Sequence, residues 1–206
     1  MLVVHHLNDS RSQRILWLLE ELELDYDLRK YERDAVTNLA PSELMSVHPL
    51  GKSPVLDDGD RRIAESGAIV EYVCGKFGRH LLPRAGSDDY VSHLELMHFA
   101  EGSVMTPILL NLYTSRLGDA AAPLKPRIDQ QLASHFGFME QVLRPSGHFV
   151  LDELSAVDVM LSFPAEVAIA QGFGGKLPKL AAFVDMIHAR PAWRRAIERG
   201  GPYRFS

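Results

Sequence analysis

Three short stretches carry the residue types that chemistry requires. Asn8-Asp9-Ser10-Arg11-Ser12-Gln13 is polar and hydroxyl-rich and joins a short apolar run to an amphipathic one. Ser10 and Gln13 have capping-box spacing, so closing a helix end is one reading. The other reading is a ligand site. Open α/β sheets bind ligands beyond the carboxyl ends of their strands, a helix N-terminus favours an anion, and a hydroxyl placed there can hold a thiolate. In the second stretch, His48-Pro49-Leu50-Gly51-Lys52-Ser53-Pro54-Val55-Leu56, two prolines and a glycine precede a strand. As a turn it requires no function, since Pro54 only removes one ladder donor. A cis Ser53–Pro54 bond would instead turn the Ser53 amide and carbonyl outward, ready to pair with an extended peptide. The third is Glu65-Ser66 at the head of a helical run. Ser66 as an N-cap is the plain reading. Alternatively, Ser66 and the neighbouring amides take a ligand carboxylate while Glu65 pairs with an ammonium group. Together the three point to an α-amino acid ligand.

The elements that must position these residues follow from hydrophobic spacing. Leu2 to His5 is short, apolar and β-branched, which predicts a buried strand. Arg14 to Leu24 carries Ile15, Leu18, Leu19 and Leu22 at helical spacing, and Asp25 to Tyr31 alternates as a second strand, so a parallel pair with a helical crossover is expected. Ser53 to Leu56 and Arg62 to Ala64 flank an Asp-Gly hairpin signal, and Ser66 to Phe77 reads as a helix closed by Gly78. Residues 1–80 therefore form a small α/β layer domain.

Arg79 to Asp88 reads as a linker. Beyond it the strand signals vanish, and residues 88–206 are expected to be all-α, with helices over Tyr90–Leu117, Pro126–Leu143, Ala156–Gln171, Pro178–Ala189 and Ala192–Arg199. The run from Ala156 is apolar nearly all round, as in the centre of a bundle, and Ser155 with Asp158 has capping-box spacing, a structural pair.

Composition narrows the function. The 206 residues fit one large or two small domains at ~150 residues each. An apolar fraction of 46% and a charged fraction of 24% are globular averages and exclude disordered or fibrous chains. A net charge of -5 provides no field for a phosphate polymer, so nucleic acid is not an expected partner. The single Cys74 allows neither an intrachain disulfide nor a dithiol redox pair. His5 and His6 are adjacent on a strand and face opposite ways, and no zinc motif, phosphate loop or hydrolase nucleophile elbow occurs, so no metal and no resident cofactor are expected. No leader or membrane span is evident, which reads as a cytoplasmic protein with no membrane partner.

Taken together, the three stretches resemble the cytosolic glutathione transferases, and the resemblance covers nearly the whole chain. It is carried by His48 to Pro54, then Glu65-Ser66-Gly67-Ala68-Ile69, then Ser155 to Asp158. Ser10-Arg11-Ser12 running into Leu16-Trp17-Leu18-Leu19-Glu20-Glu21-Leu22, with Arg190-Pro191-Ala192-Trp193 near the end, is similar to a bacterial and fungal branch. The resemblance implies a thioredoxin-like first domain, an all-helical second domain and a homodimer. It implies that the Ser53 backbone takes the cysteinyl part of glutathione, that Pro54 is cis, that Lys52 helps hold the tripeptide, and that Glu65 and Ser66 hold its γ-glutamyl end. Glu101 is the candidate acidic residue reaching a partner's γ-glutamyl amine. Branches of the family use tyrosine, serine or cysteine near the end of the first strand; here Ser10 occupies the usual position, with Ser12 and Asn8 as alternatives. The acceptor, a small hydrophobic electrophile, is expected between the domains against Met105, Ile108, Leu109, Leu112 and Tyr113. The implied reaction is thiolate attack on an electrophilic carbon. Glutathione-dependent peroxide reduction, dehalogenation or isomerisation, and non-catalytic glutathione binding, are the alternatives on the same fold.

Overall fold

The computed structural model describes residues 1–205. The chain divides into two compact units, Met1–Leu81 together with the segment from Ile187 onward, and Leu82–Met186. The first contains β1 (Leu2–Leu7), α1 (Gln13–Glu21), β2 (Tyr26–Tyr31), a one-turn α2 (Leu44–Val47), β3 (Val55–Asp58), β4 (Arg61–Ala64) and α3 (Ser66–Phe77). The four strands lie in the order β2-β1-β3-β4. β1 and β2 are parallel, as a helical crossover requires, while β3 runs antiparallel to both β1 and β4. Gly59 and Asp60 link β3 to β4. Gly59 has φ +61°, the conformation that a type II′ turn demands of its first central residue.

Residues Gln13 through Glu20 of α1 are all buried, not only its apolar stripe. The sheet covers one side, and the other is covered by α9 (Pro191–Gly200), which accounts for the inclusion of the C-terminal segment in the first unit rather than in the helical domain expected to span 88–206. Trp193 meets Trp17 edge to face with ring centroids 5.3 Å apart. Arg195 and Arg199 donate to the Glu20 carboxylate at 2.9 and 3.1 Å, Tyr26 donates to it at 2.9 Å, and Arg190 pairs with Glu21. Glu20→Ala is expected to destabilise the first unit by about 2 kcal/mol, because the buried Tyr26 hydroxyl loses its acceptor while the half-exposed arginines recover water. Both tryptophans of the chain, Trp17 and Trp193, lie at this contact, so a fall in the fluorescence-monitored denaturation midpoint measures the loss.

The second unit carries α4 (Asp88–Gly102), α5 (Met105–Thr114), α6 (Lys125–Val142), α7 (Ala156–Ala170) and most of α8 (Pro178–Ala189). The single helix expected over 90–117 is broken at Ser103 and Val104. Pro107 lies in the first turn of the restarted helix, where its missing amide is tolerated; a continuous helix would have left the Ser103 carbonyl without that donor and against the proline ring. The interior helix α7 is buried from Ala156 to Ala168, and its N-terminal capping box is formed by Ser155 and Asp158 as expected. Among the described residues no helix is long and apolar enough to cross a membrane.

Candidate active site

The sheet register brings the three stretches to one edge of the first unit. His5 is opposite Val55, and Val55 is opposite Ala64. One step further along each strand, the C-terminal end of β1 therefore lies beside Ser53 and Pro54, and these lie beside Glu65 and Ser66. Side-chain bonds fix the join: the Leu7 amide donates to Ser53 Oγ at 3.2 Å, and Ser53 Oγ donates to the His5 carbonyl at 2.8 Å. The Ser53–Pro54 peptide is cis. Lys52 is exposed beside it.

Ser10 and Ser12 sit in the turn between β1 and α1, with relative exposures of 6% and 0%. Ser10 Oγ lies 2.7 Å from both the Leu7 carbonyl and Ser12 Oγ, and the Ser12 amide donates to it at 3.2 Å. Ser12 Oγ lies 2.8 Å from His6 Nδ1 and 3.1 Å from the Leu7 carbonyl, and accepts from the Leu7 amide at 3.3 Å. The Ser10–Gln13 capping box is not formed. The N-cap of α1 is Ser12, and its hydroxyl makes no capping bond because it is engaged with His6 and Leu7. At the amide end of α1 the Ser12 amide donates to Ser10 Oγ and the Gln13 amide to the Ser10 carbonyl, each at 3.2 Å, so Ser10 lies at the positive end of the helix.

The turn itself is pinned from outside. The Asn8 side chain accepts from the Arg33 amide at 2.8 Å, the Arg33 guanidinium donates to the carbonyls of Asn8 and Asn38, and Asp9 Oδ1 accepts from the Arg204 amide at 2.8 Å. Asp9 has φ +47°. None of these partners was indicated by local pattern.

At the other end of the edge, Glu65 has φ +72° and is the N-cap of α3, with no side-chain cap; Ser66 is the first helical residue rather than the N-cap. A non-glycine residue in this region costs of order 1–3 kcal/mol and persists where the surroundings hold it. The result is an exposed Glu65 carboxylate beside a buried Ser66 and the first amides of a twelve-residue helix, a cation acceptor next to an anion donor. That combination matches the ammonium and carboxylate of an α-amino acid.

In the second unit, Glu101 lies half-buried in the last turn of α4. Met105 and Ile108 are interior at 2% and 6% exposure, Leu109 is half-buried, and Leu112 and Tyr113 are exposed, so the five expected acceptor residues divide between core and surface. Burial pushes the Cys74 thiol up to about 12, which makes it inert. Among the described residues no group of His, Cys, Asp and Glu is placed to hold a metal ion.

Known proteins give a concordant result. Residues 1–74 match the family model for the glutathione S-transferase N-terminal domain. The chain is 31% identical to glutathione S-transferase 1 of Saccharomyces cerevisiae, over 95% of this chain and 94% of that protein. It is 30% identical to glutathione S-transferase 3 of Schizosaccharomyces pombe, over 97% and 88%. A solved glutathione S-transferase from Actinobacillus pleuropneumoniae superposes with a TM-score of 0.90 at 30% identity, covering 100% of this chain and 95% of that one. A thioredoxin-like domain followed by helices, with these relatives, defines a transferase. The chain belongs to the glutathione S-transferase family.

Proposed function

We propose that the protein binds glutathione along this edge and presents its thiolate to a small hydrophobic electrophile. In this reading the Ser53 backbone pairs with the cysteinyl unit, Lys52 and Glu65 with Ser66 hold the charged ends of the tripeptide, and Ser10 meets the sulfur. No resident cofactor takes part; glutathione is a co-substrate. A free thiol titrates near ~8.5 and is only a few per cent thiolate at neutral pH, so a hydroxyl and a helix N-terminus beside the sulfur raise the reactive fraction. The observation that carries the reading is the convergence of Ser10, Ser53–Pro54 and Glu65–Ser66 at one sheet edge. Ser12 is the weaker sulfur partner, because it is wholly buried and already meets four polar groups. Leu109 and Tyr113, with Met105 behind them, are the proposed acceptor residues. A homodimer in which Glu101 approaches the partner's tripeptide, in the cytoplasm, completes the proposal.

Ser10→Ala is expected to lower conjugation of a chloronitrobenzene-type acceptor about tenfold, the effect of one hydrogen bond lost from the reacting sulfur, with glutathione affinity nearly intact. Unchanged turnover removes Ser10 from the mechanism. Calorimetry that detects no uptake of glutathione by folded protein overturns the whole reading.

A further inference from the structure

One polar chain of side chains crosses all four strands of the sheet. Tyr31 Oη on β2 lies 2.9 Å from His5 Nδ1 on β1, and His5 Nε2 lies 3.1 Å from Asp57 Oδ2 on β3. Arg62 on β4 closes the chain with two parallel bonds, donating from Nε to Asp57 Oδ1 at 2.7 Å and from Nη2 to Oδ2 at 2.8 Å. A guanidinium gripped in this two-pronged way has its plane fixed, and with it the direction of the remaining nitrogen. That nitrogen, Nη1, donates at 2.8 Å to the carbonyl of Val47, the last residue of α2.

The segment reached in this way has few other attachments. Residues 44–52 are bonded mainly to one another. The His48 amide donates to the Leu44 carbonyl at 3.0 Å and the Gly51 amide to the His48 carbonyl at 2.8 Å, and Met45 packs so closely on Gly51 that a Cβ there would meet its Sδ at 2.6 Å. Little apolar surface holds the piece down. Leu44 is the buried residue of α2, whereas Met45 and Leu50 are 57% and 63% exposed. Among the described residues no other hydrogen bond joins 44–52 to the strands. The piece ends at Lys52 and runs straight into Ser53.

We propose that Arg62 is a positioning residue: oriented by Asp57, it holds the 44–52 segment through the Val47 carbonyl and so sets the affinity for glutathione. The inference rests on the reading of Lys52 and the Ser53 backbone as glutathione contacts. A segment free to leave its place binds only during the fraction of time it is seated, and the apparent affinity falls by that fraction. Once glutathione is bound, the ligand itself seats the segment, and the sulfur at Ser10 meets the same surroundings with or without Arg62. The tie therefore acts on KM and spares kcat.

Carboxylate, imidazole and hydroxyl also stand in the order that activates a nucleophile, but the partners oppose that role. Arg62 engages both Asp57 oxygens and holds the carboxyl below its usual range, and burial pushes the Tyr31 hydroxyl up rather than down. The chain fixes position and moves no proton.

The test compares wild type, Arg62→Ala and Arg62→Lys by calorimetry with reduced glutathione, by steady-state kinetics with a chloronitrobenzene-type acceptor, and by hydrogen exchange over residues 44–52. Lysine keeps the charge but offers one nitrogen in place of the fork. The expected result for both variants is a Kd and a KM for glutathione raised about fivefold, the worth of one hydrogen bond, with kcat at saturating glutathione within about twofold of wild type. Without ligand, 44–52 should exchange faster in both variants while β1 does not, and saturating glutathione should restore its protection. A merely structural role would lower the amount of binding-competent protein, and kcat with it, at unchanged Kd. An unchanged Kd, unchanged exchange over 44–52, or a lysine variant that matches wild type overturns the proposal, the last because charge alone would then suffice. Uptake by wild type separates the levels. If wild type binds glutathione and Arg62→Ala binds it equally well, the reading of the site stands and the tie falls; if wild type takes up none, both fall.

Discussion

Asp158→Ala is expected to cost the second unit about 3–5 kcal/mol, more than any other single side-chain truncation outside the apolar core. The carboxylate is wholly buried. Its Oδ1 accepts from the Phe149 amide at 2.9 Å, and its Oδ2 accepts from the Ser155 amide at 2.6 Å and the Ser155 hydroxyl at 2.7 Å. Truncation leaves two buried amides without acceptors, at about 1–3 kcal/mol each, and removes half of the box that starts the interior helix α7. Asp158→Asn keeps one acceptor and should lose roughly half as much. Ser155→Ala, which leaves the carboxylate on both amides, should lose about 1 kcal/mol. Urea denaturation followed by circular dichroism gives the order. Three equal losses would mean that Asp158 acts only as a cap and does not tie the Phe149 loop to the helix.

The parts of the fold set by local pattern were legible in the sequence, and the parts set by distant partners were not. The helix at Ser66–Phe77 was read to the residue, because its start follows a hairpin and Gly78 closes it. Strand β1 was expected to stop at His5 but continues to Leu7. Two adjacent histidines look like a strand end until their partners are known: His5 bonds Tyr31 at 2.9 Å and Asp57 at 3.1 Å, while His6 bonds Ser12 from the other face. Asp57 lies 52 residues from His5, a separation that no periodicity reports. The same holds for α9. A helix over Ala192–Arg199 is expected from the sequence, but not that its Trp193 meets Trp17, 176 residues away.

At the site, residue types were legible and orientation was not. Ser10, Ser53, Glu65 and Ser66 stood out as polar or special residues at element boundaries. What they do depends on a network whose members are scattered, with His6 bonded to Ser12, Arg204 to Asp9 and Arg33 to Asn8. A serine in a polar turn reads equally well as a cap or a ligand group, and only the position of His6 Nδ1 shows that Ser12 does not cap. In the sequence His6 reads only as a candidate metal ligand, and nothing local places Ser12 beside its ring.

The first unit should lose stability on the order of 3 kcal/mol as the pH falls from about 6.5 to about 4, and His6 is the group responsible. In the unfolded chain its imidazole titrates at 6.5, whereas in the folded protein burial, with Lys30, holds it at about 4. Between these values the unfolded state binds a proton that the folded state refuses, so stability falls with each step of acidification and levels off once the folded ring is charged too. Above 6.5 the ring is neutral in both states and contributes nothing. The depressed carboxyl of Asp57, held down chiefly by Arg62, acts the opposite way and in a different window: its stabilisation is complete above 3.8 and is lost only below it. Tryptophan fluorescence reports the first unit alone, because Trp17 and Trp193 both belong to it. Denaturation midpoints at pH 7 and pH 5 should therefore differ by an amount equivalent to about 2 kcal/mol in wild type, and His6→Gln should abolish most of that difference. A His6→Gln protein that kept the full slope would show that another group refuses the proton.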